Sequence, residues 1–258
     1  MPSVSAIIMG RRQDFMVELV AHRGYAHCFP ENTLVALEAA VVAGARYVEV
    51  DVQLTADRIP VLFHDHDCLR LCGVPGTIDE RPYAAIRDLR ASWPERFGNR
   101  FRGNPLASLE DLAAFLERHP DVTAFVEIKR QAVKRFGAKA VVEASYARLS
   151  PVLAQTVLIS FSLGALKAAR RYWPRIGFVT NRYRQFQAPR ARSLAPEFHF
   201  CDEQGLPAHG MLAHPGCTLV VYEVDDAAYA RDLGARGVAL VETFQITELR
   251  SALGALGS

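Results

Sequence analysis

The clearest pattern in the chain is an alternation of apolar and polar residues over residues 46–65, RYVEVDVQLTADRIPVLFHD. Its first half predicts a β-strand in which Glu49 and Asp51 point to the same face, because successive side chains of a strand alternate. Its second half, residues 59–63, predicts another strand, and His64 follows directly after it. Acidic groups and a histidine are therefore expected to converge.

Alternating charge along a strand commonly means only that one face of the sheet is in water. Here the neighbours on both sides are apolar, and Arg46 is the only basic residue nearby in the sequence. Two carboxylates on one face repel each other unless a positive charge lies between them. A divalent cation with oxygen ligands is the simplest such partner.

Stretches with strand and helix patterns alternate along the rest of the chain, which indicates βα units and a parallel sheet. The pattern predicts strands at residues 17–21, 47–52, 59–63, 122–128, 156–161, 175–180, 198–201, 218–224 and 238–242. Helices are predicted at residues 34–43, 82–89, 108–119, 134–149, 163–172, 205–214, 226–233 and 246–253. Asn32 or Thr33 is expected to cap the first of these helices.

This order of elements predicts an α/β fold, a TIM (β/α)8 barrel. A closed barrel of this type needs eight strands, so one of the nine candidates, either residues 175–180 or residues 198–201, is expected to lie outside it. The link between the second and third candidates is too short to contain a helix, so one crossover is expected to be irregular.

Residues 66–107 have no clear period and are interrupted by glycine and proline, which predicts an insertion or lid after the third strand. Its second half is rich in arginine and aromatic residues, a composition that more often marks a solvated face than a binding surface. Because the segment follows His64, we expect it to cover the rim of the site, to shape the pocket for the leaving alcohol and thereby to govern selectivity.

The bulk composition narrows the classes of function. The 258 residues are 50% hydrophobic without a composition break, so one domain over residues 1–258 is expected. Thirty basic and 28 acidic residues give a net charge of +2, which argues against nucleic acid as a main partner.

Five cysteines without a CxxC pair predict reduced thiols. Residues 1–15 do not resemble a secretory signal and no apolar run has membrane-spanning length, so a cytoplasmic protein without stable membrane insertion is expected.

Charged and histidine side chains follow several predicted strands, and the carboxyl ends of barrel strands share one rim. Carboxylates there suit a hard divalent cation, histidines suit proton transfer, and basic side chains suit a phosphate. The candidates in that order are Glu49, Asp51 and Glu127; His22 and His64; Arg23 and Lys129. Together they outline a site for a phosphate ester.

Five short motifs occur in this order: His22-Arg23-Gly24, Pro30-Glu31-Asn32-Thr33, Glu49-Val50-Asp51, His64-Asp65 and Glu127-Ile128-Lys129. In this order they resemble the glycerophosphodiester phosphodiesterase family. The resemblance implies a TIM barrel with a small insertion after the third strand and metal-dependent hydrolysis of a glycerophosphodiester to glycerol 3-phosphate and an alcohol. It also implies one divalent cation, Mg²⁺ or Ca²⁺ or else Mn²⁺, together with specific residue roles. These roles are general acid and base for His22 and His64, metal ligation by Glu49, Asp51 and Glu127, and phosphate contacts by Arg23 and Lys129.

The chain departs from the family pattern near its C-terminus. Tyr222-Glu223-Val224-Asp225 stands where Trp-Thr-Val-Asn is common, and Glu242-Thr243 stands where Thr-Asp is common. Tyr222 can still stack on the carbons of a glycerol group. The two glutamates add negative charge near a site for an anion, so either the metal arrangement or the accepted alcohol is expected to differ.

Two other functions remain open. A phospholipase D-like or sphingomyelinase-like phosphodiesterase would need an exposed apolar surface for docking to a membrane. A non-catalytic phosphodiester-binding barrel would lack a metal ligand or a histidine. The sequence leaves open the preferred alcohol, the metal and the oligomeric state.

Overall fold

Residues 17–255 are described by the structure, which is a computed structural model. The prediction that residues 1–15 are not a secretory signal concerns residues outside this range. Within it, nine strands form one sheet. They are β1 Glu18–Ala21, β2 Tyr47–Leu54, β3 Pro60–Leu62, β4 Thr123–Ile128, β5 Thr156–Ser160, β6 Ile176–Thr180, β7 Phe198–Asp202, β8 Thr218–Tyr222 and β9 Leu240–Thr243.

Eight of these strands are parallel and close into a barrel, because β1 pairs with both β9 and β2. The TIM barrel prediction is confirmed, but the choice of the extra strand was wrong. Residues 175–180 and 198–201 correspond to β6 and β7, and both are barrel strands. The extra strand is β3, which runs antiparallel to β2 with Val52 opposite Leu62. A five-residue link cannot cross over to a parallel position, so the chain turns back as a hairpin.

The helices lie mostly between barrel strands, as the pattern predicts. They are α1 Leu34–Val42, α2 Leu69–Cys72, α3 Tyr83–Ile86, α4 Pro94–Phe97, α5 Leu109–Arg118, α6 Arg130–Phe136, α7 Ala138–Leu149, α8 Leu163–Ala169, α9 Pro189–Arg192, α10 Ala227–Ala235 and α11 Ile246–Ala255. The helix predicted at residues 134–149 is divided at Gly137, whose φ of 82° suits glycine.

The helix predicted at residues 205–214 is absent. A short 3₁₀ helix ends at Gly205, and the chain then runs irregularly to β8. Pro207 and Gly210 interrupt this segment, and proline removes a backbone donor that a helix needs. The apolar spacing in this segment was therefore outweighed by its helix-breaking residues.

Side chains alternate between the inside and the outside of the barrel. The inner cluster is filled by large apolar residues: Val20, Phe125, Val157, Ile159, Val179, Phe200, Val220 and Leu240. The alternate strand residues pack against the surrounding helices. Towards the carboxyl ends of the strands, inward positions become polar at Glu49, Glu127 and Glu242, and this change marks the site.

The insertion between β3 and β4 carries α2, α3 and α4 and has its own small apolar cluster around Phe63, Leu71, Ile78 and Ile86. It follows the third strand in chain order, as expected. All five cysteines are free thiols. In the part of the chain from residue 17 to residue 255, none of the helices combines the length and apolar character that crossing a bilayer requires.

Candidate active site

His22 is placed on the rim by a tight turn after β1. Arg23 has φ 57° and Gly24 has φ 79°, and a Cβ on Gly24 would come within 2.9 Å of the Ala36 side chain. Glycine is therefore required at that position. The His22 ring is buried and stacks on Phe244, with ring centroids 4.6 Å apart. This contact holds the imidazole in one orientation.

Three carboxylates meet at the ends of the neighbouring strands β2 and β4. Asp51 lies opposite Glu127 in the parallel pairing, and Glu49 is two residues before Asp51. One oxygen from each of Glu49, Asp51 and Glu127 lies within 4.8 Å of the other two, and all three residues are buried. Within residues 17–255, Glu49 Oε1 has no hydrogen-bond donor, and Glu127 Oε1 has the Lys129 ammonium as its partner at 3.2 Å. The cluster therefore has the oxygen donors and the unmet need for positive charge of a hard divalent cation site.

Asp51 is the carboxylate that the protein itself neutralises. Asn32 Nδ2 donates to its Oδ2 at 2.9 Å, Lys129 Nζ lies 3.1 Å from Oδ1, and Arg23 Nε lies 3.2 Å from Oδ2. Burial raises the pKa of Asp51, but the charges of Lys129 and Arg23 lower it by more, so the net pKa is far below the usual value. Asp51 is therefore ionised at neutral pH.

For Glu49 and Glu127, the effect of burial on the pKa exceeds the effect of the neighbouring cations. Burial, followed by the charges of Asp51 and Glu242, raises the pKa of Glu49 well above its usual value. Burial also raises the pKa of Glu127, against a lowering effect of Lys129. Both carboxylates would become easier to ionise if a cation lay between them.

Two buried basic groups remain charged. Burial lowers the pKa values of Arg23 and Lys129, but the surrounding carboxylates, with Asp51 first among them, raise both above their usual values. Arg23 also uses its backbone N–H to donate to Glu49 Oε2 at 3.2 Å. The two cations are therefore available to an anionic group at neutral pH.

His64 stands at the more open side of the site, with 33% of its side chain exposed. Its Nδ1 lies 2.9 Å from Asp65 Oδ1. Because an ionised carboxylate only accepts, this contact places the proton on Nδ1 and leaves Nε2 for proton exchange. Gln53 supports the same corner by donating its side-chain amide to the backbone carbonyls of His64 and Asp65.

Arg70 links the insertion to the catalytic rim. Its Nε donates to Asp65 Oδ2 at 2.6 Å, and its two terminal nitrogens donate to Glu31 at 2.6 and 2.9 Å. Glu31 in turn accepts from Arg23 at 3.1 Å. The Arg70 guanidinium thus ties the partner of His64 to the turn that carries Arg23.

Sequence reasoning missed the site roles of Asn32 and Arg70. Thr33 caps α1 by accepting from Ala36 N, whereas Asn32 is buried with φ 56° and binds Asp51 through both its amide nitrogen and its amide oxygen. The presence of Asn32 in the second motif was the available signal. Nothing in the pattern around Arg70 indicates its contacts, which depend on how the insertion folds back.

A cavity of about 140 Å³ lies between these groups. One side is charged and includes His22, Arg23, Glu49, His64, Glu127 and Lys129. The other side is formed by Ile159, Phe161, Val179, Phe200 and Tyr222, with Glu223 and Glu242 completing the lining. Every residue that the resemblance singles out for the site, except the buried Asp51, lines this cavity. None of the residues 66–107 lines this cavity, and the expectation that they shape the pocket for the leaving alcohol stays a prediction.

Replacing Arg70 with methionine should lower kcat by roughly 10- to 100-fold, the scale seen when a group that orients a functional side chain is lost. KM should change less, because Arg70 does not line the cavity. Steady-state kinetics would measure this split, and Arg70→Lys should recover part of kcat. Arg96→Met is the matched control, since both arginines lie over the Trp93 ring but Arg96 bonds to His27 instead of the site. Equal losses in the two methionine variants would contradict a positioning role for Arg70.

Comparison with known proteins agrees with this geometry. The sequence model of the glycerophosphoryl diester phosphodiesterase family matches residues 22–243. Glycerophosphodiester phosphodiesterase 1 from Homo sapiens is 34% identical over 133 residues, which are 52% of this chain and 40% of the human protein. The YqiK protein of Bacillus subtilis is 28% identical over 161 residues, 62% of this chain and 65% of that protein. The region matched in the human protein is thus less than half of that protein's length.

Two solved structures share the fold. A phosphodiesterase from Oleispira antarctica, in complex with the product sn-glycerol-3-phosphate, has a TM-score of 0.79 and 22% identity, covering 93% of this chain and 98% of its own. A glycerophosphodiester phosphodiesterase from Parabacteroides distasonis has a TM-score of 0.74 and 22% identity, covering 94% and 98%. Because the family match spans residues 22–243, which is most of the chain, this chain belongs to the glycerophosphoryl diester phosphodiesterase family.

Proposed function

We propose that this protein hydrolyses glycerophosphodiesters to glycerol 3-phosphate and an alcohol, with the help of one divalent cation. The observation that carries the proposal is one cavity in which two carboxylates of the buried cluster, two largely buried basic groups and two histidines meet, with the third carboxylate, Asp51, paired to Lys129 beside it. The names of the human relative and of the solved structures support the same activity. Each role below is inferred from the surroundings of the residue.

Glu49, Asp51 and Glu127 are the proposed ligands of the cation, which is Mg²⁺ or Ca²⁺ on the grounds of its all-oxygen donor set, with Mn²⁺ as a further candidate. Bound there, the cation would supply Lewis-acid polarisation of a phosphoryl oxygen. Arg23 and Lys129 hold the remaining phosphate charge, since the carboxylates beside them raise their pKa values and keep them protonated. The apolar side of the cavity, with Tyr222, packs against carbon and excludes water.

His22 is the proposed general base. Burial, reinforced by the charge of Arg23, lowers its pKa well below 6.5, so the ring is neutral at pH 7 and accepts a proton. It takes that proton from the neighbouring glycerol hydroxyl, whose oxygen then forms the new bond to phosphorus. The bond from phosphorus to the alcohol oxygen breaks, and His64, which enters this step as an imidazolium with its Nδ1–H held by Asp65, gives that oxygen the proton on Nε2. Water opens the resulting cyclic phosphate by the reverse transfers.

The two alternatives fit the structure less well. All matched site residues are present, whereas a non-catalytic barrel would lack one. The large hydrophobic side chains exposed among residues 17–255 are Val42 on α1, Leu69 on α2 and Met211 in the irregular segment before β8, and they offer a lipid-acting enzyme little docking surface. A single domain, a cytoplasmic location and the absence of nucleic-acid partners stay predictions from the sequence.

The proposal is tested by measuring the release of glycerol 3-phosphate from three substrates: glycerophosphocholine, glycerophosphoethanolamine and glycerophosphoinositol. We expect turnover with added Mg²⁺, Ca²⁺ or Mn²⁺ and its loss after chelation, with recovery on re-addition. Lysophosphatidylcholine and sphingomyelin should be poor substrates in parallel assays. Preferential hydrolysis of either lipid would favour the phospholipase-type function. Tight binding of a glycerophosphodiester without turnover in the presence of any of the three metals would favour the non-catalytic function.

A further inference from the structure

Glu242 is a buried carboxylate that the proposed reaction leaves without a role. It lies on β9, is 3% exposed and lines the same cavity as His22 and Lys129. Its Oε1 has no hydrogen-bond partner within the described residues. A buried acceptor without a donor is costly, and the apolar wall beside it at Val179 and Phe200 offers none. A bound ligand is the natural source of the missing donor.

Glu242 lies deeper in the barrel than the catalytic histidine. In the parallel pairing of β1 and β9 it is opposite Val20, a residue of the inner cluster, whereas His22 is two residues further along. Two residues of a parallel strand span roughly 6 to 7 Å. Glu242 therefore faces the inner part of the cavity, as does Glu49, which lies opposite Phe125 of the same cluster.

The cation is not the partner that this geometry favours. Within residues 17–255, the buried carboxylates whose oxygens all lie within 4.8 Å of one another are Glu49, Asp51 and Glu127, and Glu242 is not among them. Oxygen ligands of one Mg²⁺ or Ca²⁺ are at most about 4 to 5 Å apart, twice the metal–oxygen distance. Glu242 is thus not a member of the close cluster that those three residues form.

We propose that Glu242 recognises the glyceryl half of the substrate by accepting a hydrogen bond from its terminal hydroxyl group. This inference rests on the proposed function and adds to it the determinant of glycerol specificity. The glyceryl group is common to all the candidate substrates, whereas the alcohols differ in size, and a cavity of about 140 Å³ suits the constant half. The terminal hydroxyl is at the far end of the three-carbon chain from phosphorus, which corresponds to the deeper position of Glu242. Burial, followed by the charge of Glu127, raises the pKa of Glu242 well above its usual value, and a hydrogen bond donated by a hydroxyl group would stabilise its charged form.

The test compares glycerophosphocholine with the phosphocholine diester of propane-1,2-diol, esterified at its primary hydroxyl. This analogue lacks only the terminal hydroxyl and keeps the neighbouring one that attacks phosphorus. Wild-type protein should prefer the glyceryl substrate by about 10- to 100-fold in kcat/KM, the scale of a hydrogen bond to a charged group. Glu242→Met, similar in length but without an acceptor, should bring that preference close to one, and Glu242→Gln, which keeps an amide oxygen, should retain part of it.

Glu117→Gln is the matched control. Glu117 lies at an exposed position on α5 and does not line the cavity, so its substitution should leave the preference between the two substrates unchanged. Calorimetry with Mg²⁺ and Ca²⁺ should show equal cation affinity in wild type and Glu242→Met. An unchanged preference for the glyceryl substrate in Glu242→Met would overturn the inference. A loss of cation affinity in this variant would also overturn it, as would a change only in the order in which glycerophosphodiesters with different alcohols are preferred. Wild type that hydrolyses neither diester would instead refute the proposed function.

Discussion

Glu127→Gln is expected to abolish tight binding of a divalent cation and to lower turnover by roughly 10²- to 10³-fold, the scale of losing one electrostatic stabiliser of a transition state. Glutamine keeps the size of the side chain but removes the charge from the cluster with Glu49 and Asp51. Titration calorimetry with Mg²⁺ and Ca²⁺ would measure the affinity, and glycerol 3-phosphate release would measure turnover. Glu117→Gln, at an exposed position on α5, is the control.

The cation affinity should also rise with pH. Burial raises the pKa values of Glu49 and Glu127, so protons compete with the cation when the pH is below those raised values. Each displaced proton makes the affinity increase by up to about tenfold per pH unit, until the group is ionised without the cation. Affinity that is independent of pH, or unchanged in Glu127→Gln, would show that these carboxylates are not the ligands.

Removal of either histidine should cost roughly two to four orders of magnitude in kcat, the range of general acid–base catalysis. His64→Ala tests the acid, and His22→Gln tests the base while filling part of the space against Phe244. Because the pKa of His22 is lowered below 6.5, the acid limb of kcat/KM in wild type should lie below that pH. Rapid kinetics across pH would measure both effects.

His209→Ala is the control for this pair, because His209 is exposed on the irregular segment before β8. It should keep wild-type kinetics. Thermal unfolding of each variant separates a catalytic defect from a folding defect. Near-native rates in His64→Ala and His22→Gln would remove both residues from the mechanism, whereas loss of a cooperative transition would mean that the histidines chiefly hold the scaffold together.

Much of the barrel was readable from local patterns. Strands buried on both faces read as apolar runs, and helices between them have caps such as Ser108 of α5, whose side chain accepts from Asp111 N. The errors occurred where the pattern was ambiguous. Short apolar runs do not distinguish a barrel strand from a hairpin strand, so β3 was not recognised as the extra strand and residues 175–180 and 198–201 were doubted.

The site residues could likewise be predicted where a local pattern indicated them, but not where their role depends on contacts with distant residues. His22, Arg23, Glu49, His64, Glu127, Lys129 and Tyr222 all line one cavity, with Asp51 directly beneath it, as expected for polar residues at strand ends. Asn32 was interpreted as a helix cap because capping is a local function of that residue type. Its bonds to Asp51 connect residues 19 positions apart, and those of Arg70 to Glu31 connect residues 39 apart.

By itself, the sequence determined the alternation of strands and helices, and with it the rim on which the carboxylates, histidines and basic groups had to meet. These properties depend on side-chain periodicity and residue order, which are local. Only the tertiary structure decided which strands closed the barrel, which acid was neutralised by Arg23 and Lys129, and that Glu242 was left buried without a donor. Those outcomes depend on distances between residues far apart in the chain, and burial then determines how strongly their charges act on one another.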